Sequence, residues 1–222
     1  MDQNVFIRSM ANRGHSGGTA LATFDAARML DASGYNVIII ETVGVGQSEL
    51  AIAQTADTTI LVLMPGSGDE IQAIKSGIME IGDIFVVNKG DLPGANKTAT
   101  EILNSLELTS CESAWKPPVL VATAETGEGM DAVWKAVSEH HQFLESSGEL
   151  EERRKSKIQA ELEELVAEIA RSNVKNSLEQ APHLQELLVQ VVSRQVDPHS
   201  AAEELVQELF ADGRGFDKLL PQ

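Results

Sequence analysis

The sequence predicts an α/β protein, in which a mostly parallel sheet with helices on both faces is followed by an all-helical C-terminal region. Three observations support this prediction. Short runs that are apolar on both strand faces alternate with helical patterns through the first two-thirds of the 222 residues. Every strand candidate lies before residue 148. From there to residue 222, apolar side chains recur only at helical spacing.

The first region contains five predicted strands and five predicted helices. The strands are short, apolar and rich in β-branched residues: Val5–Ile7, Val37–Ile40, Thr58–Met64, Ile84–Val87 and Val119–Val121. The helical patterns are Gly18–Ala32, Glu49–Gln54, Glu70–Glu80, Ala95–Leu106 and Met130–Leu144. Alternation at this spacing is typical of parallel strands joined by crossover helices.

The second region carries three apolar stripes at helical spacing, within Ile158–Ile169, Leu184–Val192 and Ala201–Phe210. Asp197 followed by Pro198 predicts an N-cap and a proline in the first helical position. We therefore expect two domains, residues 1–147 as the α/β domain and residues 148–222 as a helical extension.

The composition limits the choice of partners. The chain has 34 acidic and 17 basic residues and a formal net charge of −17, which argues against nucleic acid or an anionic membrane as the main partner. An anionic nucleotide stays possible where backbone amides or Mg²⁺ offset the charge. The single cysteine, Cys111, excludes an intramolecular disulfide, and no apolar run reaches the length of a membrane span. We expect a cytoplasmic protein.

The strongest local motif is Asn88-Lys89-Gly90-Asp91, directly after the predicted strand Ile84–Val87. Ligands of open α/β sheets bind at the carboxyl ends of the strands. The Asp91 carboxylate is able to accept hydrogen bonds from the N1–H and the 2-amino group of guanine, a donor pair that adenine lacks. Asn88 would stabilise the loop, and the stem of Lys89 would cover the face of the base. An ordinary polar turn after a strand explains the four residues equally well in isolation.

A second motif, residues 41–47, follows the strand Val37–Ile40. Glu41 is suited to hold Mg²⁺ through a water molecule. Gly44 allows a backbone N–H to approach a γ-phosphate, and Gln47 is suited to orient an attacking water. The alternative is a glycine-rich turn with an incidental acid.

A third motif begins with Thr123-Ala124, after the strand Val119–Val121. Small residues there let backbone amides reach a base carbonyl, although the motif is weak alone. The three motifs occur in a consistent order, each after its own strand. Together they predict a guanine-nucleotide-binding fold.

Residues 41–49 (ETVGVGQSE) closely resemble the signature of the methylmalonyl-CoA mutase-associated GTPases of the MeaB/ArgK type, also known as the LAO/AO transport system kinase family. Residues 6–18 (FIRSMANRGHSGG) and 64–75 (MPGSGDEIQAIK) resemble the same family. The resemblance extends from about residue 5 to residue 144. The C-terminal region resembles the family only in being helical.

This resemblance implies a dimeric P-loop GTPase that acts as a chaperone of a cobalamin-dependent methylmalonyl-CoA mutase. GTP or GDP and Mg²⁺ would be its ligands, with dimerisation through the C-terminal helices. Carried over, Asn88, Lys89 and Asp91 read guanine, while Glu41 and Gly44 lie near Mg²⁺ and the γ-phosphate. The resemblance also implies a loop that couples the nucleotide state to the mutase, formed by Asp69, Glu70, Gln72 and Lys75.

One expected motif is missing from the 222 residues. A Gly-x-x-x-x-Gly-Lys-Ser/Thr string should follow the first strand of the fold, and residues 13–19 have glycines but no lysine. We therefore expect a P-loop GTPase domain without its first strand and P-loop helix. Either Met1 is an internal methionine of a longer gene, which we favour because the guanine loop is intact, or the chain is a true remnant.

The missing motif has a physical consequence. The P-loop amides and lysine supply most of the favourable field around the β- and γ-phosphates. We expect this chain alone to bind GTP poorly, to hydrolyse it negligibly and to self-associate through exposed strand edges. The alternative function is that of an inactive remnant acting as a dimerisation or mutase-docking module.

Overall fold

A parallel three-stranded sheet forms the centre of the first part of the chain. The computed structural model describes residues 4–10, 18–42, 56–66, 78–109, 114–179 and 183–211. Strands β1 (Ile60–Leu63), β2 (Ile84–Val87) and β3 (Val119–Val121) lie in the order β1-β2-β3. Both pairings are parallel, with Ile60 opposite Ile84 and Phe85 opposite Val119. The α/β class and the parallel sheet are therefore confirmed.

Six α-helices and one 3₁₀ turn lie in the described parts of the chain. They are α1 (Gly18–Ala32), the 3₁₀ turn Ile78–Glu80, α2 (Ala95–Thr109), α3 (Met130–Ser147), α4 (Glu149–Glu179), α5 (Leu184–Val192) and α6 (Pro198–Ala211). The bounds of α1 and α5 agree with the sequence pattern. The other helices contain the predicted stripes and extend beyond them, most of all α4.

Strand β2 is buried on both faces because helices cover each side of the sheet at this strand. On one face, Phe85 and Val87 pack with Leu63 of β1 and with Ile102 and Leu106 of α2. On the other face, Ile84 and Val86 pack with Ala122 and with two residues of α3, Val133 and Ala136. The uniformly apolar sequence of β2 is what a strand covered on both faces requires.

The chain divides into two compact units, Met1–Ile158 and Gln159–Gln222. The boundary between the units lies within α4, and Gly148 separates α4 from the preceding helix, α3. Gly148 adopts a left-handed conformation (φ 80°) and its N–H is donated to the carbonyl of Glu145, which ends α3 before α4 begins at Glu149. The division at residues 147 and 148 expected from the sequence stays a prediction.

Two predicted strands are wrong for the residues that the structure describes. Val5–Ile7 and Val37–Ile40 are not strands, and no described segment pairs with them. Their side chains are largely exposed, with Ile39 85% exposed and Ile7 87% exposed. A β-branched run specifies a preference for extended backbone, whereas a strand also needs a neighbour for its hydrogen bonds.

Some predicted elements fall outside the described residues. These are the helix Glu49–Gln54 and the greater part of the helix Glu70–Glu80, of which the structure describes only residues 78–80, as the 3₁₀ turn. The strand predicted at Thr58–Met64 is shorter, because only Ile60–Leu63 pair with β2. Among the helices described, none is both long enough and apolar enough to span a bilayer.

Candidate functional site

The candidate site lies where β2 and β3 end. Asn88 directly follows β2, and Thr123 follows β3 after one residue, Ala122. Because the strands are parallel neighbours, their carboxyl ends meet at one edge of the sheet. Two of the three motifs predicted from the sequence are thereby brought together.

The side chain of Asn88 connects the two loops. Its Oδ1 accepts the backbone N–H of Lys89 at 2.8 Å and that of Ala124 at 3.0 Å. The backbone N–H of Asn88 is itself donated to the carbonyl of Leu63 at 2.8 Å, continuing the pairing of β2 with β1. Asn88 therefore fixes the distance between the loop that follows β2 and the loop that follows β3.

The backbone turns sharply after Asn88. Lys89 has a φ of 56°, a left-handed conformation that is uncommon outside glycine. The N–H of Gly90 is donated to the carbonyl of Ala122 at 2.9 Å. A Cβ at Gly90 would lie 2.7 Å from Val121 Cγ1, so a glycine is needed for this close approach. The turn leaves the side chains of Lys89 and Asp91 exposed and able to meet a ligand.

The loop after β3 is built around Thr123, which is buried. Its carbonyl accepts the N–H groups of Thr126 and Gly127, and its N–H is donated to the carbonyl of Glu128 at 2.8 Å. Ala124 is exposed, but its N–H is bonded to Asn88. A base carbonyl would have to share that N–H with Asn88.

The third motif is only partly described. Glu41 is exposed in irregular backbone after the Val37–Ile40 segment. Gly44 and Gln47 lie outside the described residues, as do Asp69, Glu70, Gln72 and Lys75 of the expected coupling loop. Within the described ranges, no group of three or more His, Cys, Asp or Glu residues is placed to hold a metal ion.

A polar cluster that the sequence did not predict lies at the opposite end of β2. Asp83, which directly precedes β2, is buried, and its Oδ1 accepts Nη1 and Nη2 of Arg153 at 3.0 and 3.1 Å. Its Oδ2 accepts the N–H of Thr59 at 2.8 Å, and its carbonyl accepts Trp115 Nε1 at 2.8 Å. Nε2 of the fully buried His140 lies 3.3 Å from Oδ1. We call these five residues the Asp83 cluster.

The environment of Asp83 favours its ionised form. Burial alone would raise the pKa of this carboxyl, but His140, the Thr59 N–H and the charge of Arg153 together hold it below its ordinary value. Asp57 behaves similarly. Burial opposes ionisation there, while Arg154 and Lys157, at 2.9 and 3.0 Å, lower the pKa of Asp57.

Two residues of the Asp83 cluster, His140 and Asp83, have together with Thr58 the connectivity of a hydrolytic triad. Thr58 Oγ1 lies 2.9 Å from His140 Nδ1, and the other ring nitrogen faces Asp83. The geometry does not support catalysis, because the imidazole is fully buried beneath Trp115, with ring centroids 4.8 Å apart. Oδ1 of Asp83 is already occupied by Arg153. The cluster is therefore structural.

Sequence reasoning missed this cluster for an identifiable reason. The mixed charges of residues 149–157 are typical of a solvated helix face, and the five histidines share no spacing that would link them to a site. A signal for His140 exists, since it continues the buried stripe of Val133 and Ala136 toward Leu144 on α3. A histidine within an apolar helical stripe indicates a buried polar partner.

Comparisons with known proteins identify a family and several relatives that the chain resembles. The family described as "Methylmalonyl Co-A mutase-associated GTPase MeaB" matches residues 1–179. A Pyrococcus abyssi protein whose name assigns it to the GTPases is 45% identical over 215 residues, covering 96% of this chain and 66% of its own length. The mouse "Methylmalonic aciduria type A homolog, mitochondrial" is 34% identical over 214 residues, covering 93% of this chain and 51% of its own.

A solved structure is similar as well. The crystal structure of an LAO/AO transport system kinase matches with a TM-score of 0.65 and 25% identity, over 86% of this chain and 63% of that one. The chain thus spans about two-thirds of the length of the Pyrococcus relative and about half that of the mouse relative.

Proposed function

Because the chain belongs to the family of methylmalonyl-CoA mutase-associated GTPases, we propose that it carries the guanine-recognition part of a GTP-binding and GTP-hydrolysing chaperone. The proposed client is a cobalamin-dependent methylmalonyl-CoA mutase. The single observation that supports this most directly is the bridge from Asn88 Oδ1 to the N–H groups of Lys89 and Ala124. It assembles two of the sequence motifs into one exposed surface at the carboxyl edge of the sheet.

In this proposal Asp91 reads the base. Its exposed carboxylate accepts hydrogen bonds from guanine N1–H and the 2-amino group, which adenine does not offer as a pair. The exposed stem of Lys89 covers one face of the base. The exposed Ala124, in the loop built around the buried Thr123, forms the adjoining wall. Bonds to a charged acceptor are each worth roughly 1.5–3 kcal/mol, which is enough to discriminate between bases.

The phosphate end of the site is proposed from the sequence and from one described residue. Glu41 is an exposed carboxylate, a hard oxygen ligand of the kind that Mg²⁺ takes, directly or through water. We assign Gly44 to the approach of a γ-phosphate and Gln47 to the orientation of water. Mg²⁺, when bound, neutralises phosphate charge.

The activity of these 222 residues by themselves is proposed to be low. They contain no Gly-x-x-x-x-Gly-Lys-Ser/Thr string, and their net charge of −17 opposes a triphosphate. The alternative proposal is a catalytically inactive module for dimerisation or mutase docking. Stoichiometric GTP turnover by the purified chain would contradict the proposal of low activity.

We propose that contact with the mutase uses Asp69, Glu70, Gln72 and Lys75.

We also propose that the protein is cytoplasmic and forms a homodimer through residues 148–222. One observation favours a dimer interface on α4. Four of its apolar residues lie on one face, and each is more than half exposed: Ile158, Leu162, Val166 and Ile169.

Guanine recognition is testable without the phosphates. Guanosine, adenosine and xanthosine would be titrated into the ¹⁵N-labelled chain, with amide shifts followed by NMR. We expect guanosine alone to shift residues 88–91 and 123–125. Asp91→Asn should lose guanosine and gain xanthosine, because an amide N–H suits the 2-oxo group. Asp131→Asn, an exposed aspartate on α3, is the matched control. Equal shifts with all three nucleosides would refute guanine recognition.

A further inference from the structure

Asp83 contacts four parts of the described chain around the start of β2. Its side chain bonds the Thr59 N–H ahead of β1, and its carbonyl accepts Trp115 Nε1 ahead of β3. His140 reaches it from α3, and Arg153 reaches it from α4. The carboxylate and the backbone carbonyl of this single buried residue therefore relate all three strands to two helices.

The first turns of α4 are held to the base of the sheet by charged groups. Arg153 bonds Asp83, and Arg154 bonds Asp57 Oδ2 at 2.9 Å. Lys157 bonds Asp57 Oδ1 at 3.0 Å and the carbonyl of Ala56 at 2.7 Å. Arg153 also donates to the carbonyl of Asp57 at 3.4 Å. It differs from the other two cations because its carboxylate partner, Asp83, adjoins β2.

Strand β2 joins the Asp83 cluster directly to the candidate guanine loop. It is four residues long, with Asp83 immediately before it and Asn88 immediately after it. All four strand residues are buried, and a close-packed strand has little freedom to deform along its length. A displacement of Asp83 along the strand axis is therefore expected to reach Asn88, and with it the bridge to Ala124.

We propose that Asp83 is a positioning residue for the loop at 88–91 and that Arg153 couples this loop to the start of α4. The inference rests on the proposed function only for the identity of the ligand, because the coupling concerns the protein by itself. Loosening the Arg153–Asp83 contact should loosen the Asn88 bridge at the far end of β2.

The test is residue-resolved amide exchange by NMR on the nucleotide-free chain. The reporters are two N–H groups. That of Gly90 is donated to the carbonyl of Ala122, and that of Ala124 is donated to Asn88 Oδ1. In Arg153→Met we expect these amides to exchange roughly tenfold faster than in the wild type, together with the first turns of α4. Arg154→Met is the matched control. It should accelerate exchange in α4 alone, because its partner Asp57 does not adjoin β2.

Arg153→Met leaves the buried Asp83 carboxylate without its cation and is at risk of unfolding. A second variant is therefore needed. Asp83→Asn combined with Arg153→Gln removes both charges and retains hydrogen-bonding groups. In that variant the Gly90 amide should accelerate more than the core amide of Val86.

Three outcomes distinguish coupling along β2 from its absence and from global unfolding. Faster exchange in α4 with Gly90 and Ala124 unchanged would overturn the coupling. Equal acceleration at Gly90 and Val86 in the double variant would also overturn it, because it reports global unfolding. Faster exchange at Gly90 and Ala124 supports the coupling even if guanosine does not bind, an outcome that would refute only the proposed function.

Discussion

Gly127 and Gly129 lie two residues apart in the loop after β3, and both have left-handed backbone, with φ of 81° and 79°. Their surroundings differ. A Cβ at Gly129 would lie 2.5 Å from the carbonyl oxygen of Val121, whereas a Cβ at Gly127 would meet nothing within 4 Å. The close approach at Gly129 sets the loop that carries Ala124 against β3.

We therefore predict unequal costs for two identical substitutions. Gly127→Ala should lower the free energy of unfolding by about 1–2 kcal/mol, because alanine is strained in the left-handed conformation. Gly129→Ala should lower it by about 1–3 kcal/mol more, because its Cβ also clashes with the backbone of β3. Urea unfolding followed by circular dichroism measures both. Equal losses would mean that the loop moves away from β3 without cost.

Asn88 supports a second prediction. Asn88→Ala removes the acceptor for the N–H groups of Lys89 and Ala124 at a partly exposed position. The free energy of unfolding should fall by about 1 kcal/mol, and the guanosine-induced shifts should disappear. Asn104→Ala, at an exposed position of α2, is the control and should change stability by less than about 0.5 kcal/mol. Retained guanosine shifts in Asn88→Ala would show that the bridge is dispensable.

The two ends of β2 show what a sequence reveals about single residues. Asn88, Lys89 and Asp91 were predictable because a local string after an apolar strand places them at the carboxyl edge. Asp83 was not, because its partners Arg153 and His140 are 70 and 57 positions away, and no local spacing links them. Long-range polar pairing depends on packing, which a single sequence does not display.

Among the helices, α6 has the clearest start signal. Asp197 Oδ1 accepts the N–H groups of His199 and Ser200 at 3.0 and 3.1 Å, and Oδ2 accepts the Ser200 hydroxyl. These bonds hold the pKa of Asp197 below its ordinary value. The predicted N-cap is therefore confirmed, with Pro198 in the first helical position.

The cap leads to a prediction about α6 as an element. Asp197→Ala leaves two helix N–H groups without their acceptor, so helicity near residues 198–202 should fall. Asp197→Asn should retain it, because an asparagine oxygen accepts the same bonds. Cα chemical shifts in both variants measure the local helicity. Unchanged shifts in Asp197→Ala would mean that packing of α6 against α5 is sufficient to fix its start.

At the same scale, strands were predicted less reliably than helices. A helix satisfies its hydrogen bonds within its own residues, so periodicity located α1 and α5 without reference to neighbours. A parallel strand depends on partners distant in sequence. Strands β2 and β3 have them, whereas Val37–Ile40, with a similar composition, has none among the residues described.

At the scale of the whole molecule, two electrostatic effects oppose each other as pH falls. The net charge of −17 implies self-repulsion at neutral pH, which protonation of carboxylates relieves. Protonation of Asp83 and Asp57 instead lowers the stability of the fold, because their pKa values are lower in the folded protein than in the unfolded chain. Comparing variants of equal net charge separates the two effects.

The double variant Asp83→Asn with Arg153→Gln has the same net charge as the wild type and lacks the Asp83 carboxylate. A depressed folded-state pKa contributes stability that is present above the unfolded value, about pH 4, and is lost as pH falls through the folded value. The wild type should therefore lose more stability than the double variant between pH 7 and about pH 3. Urea midpoints at both pH values, with Asp131→Asn as an exposed control, measure the difference. Parallel losses in the two proteins would mean that Asp83 is not ionised more readily in the folded state, and that self-repulsion and the other carboxylates determine the acid response.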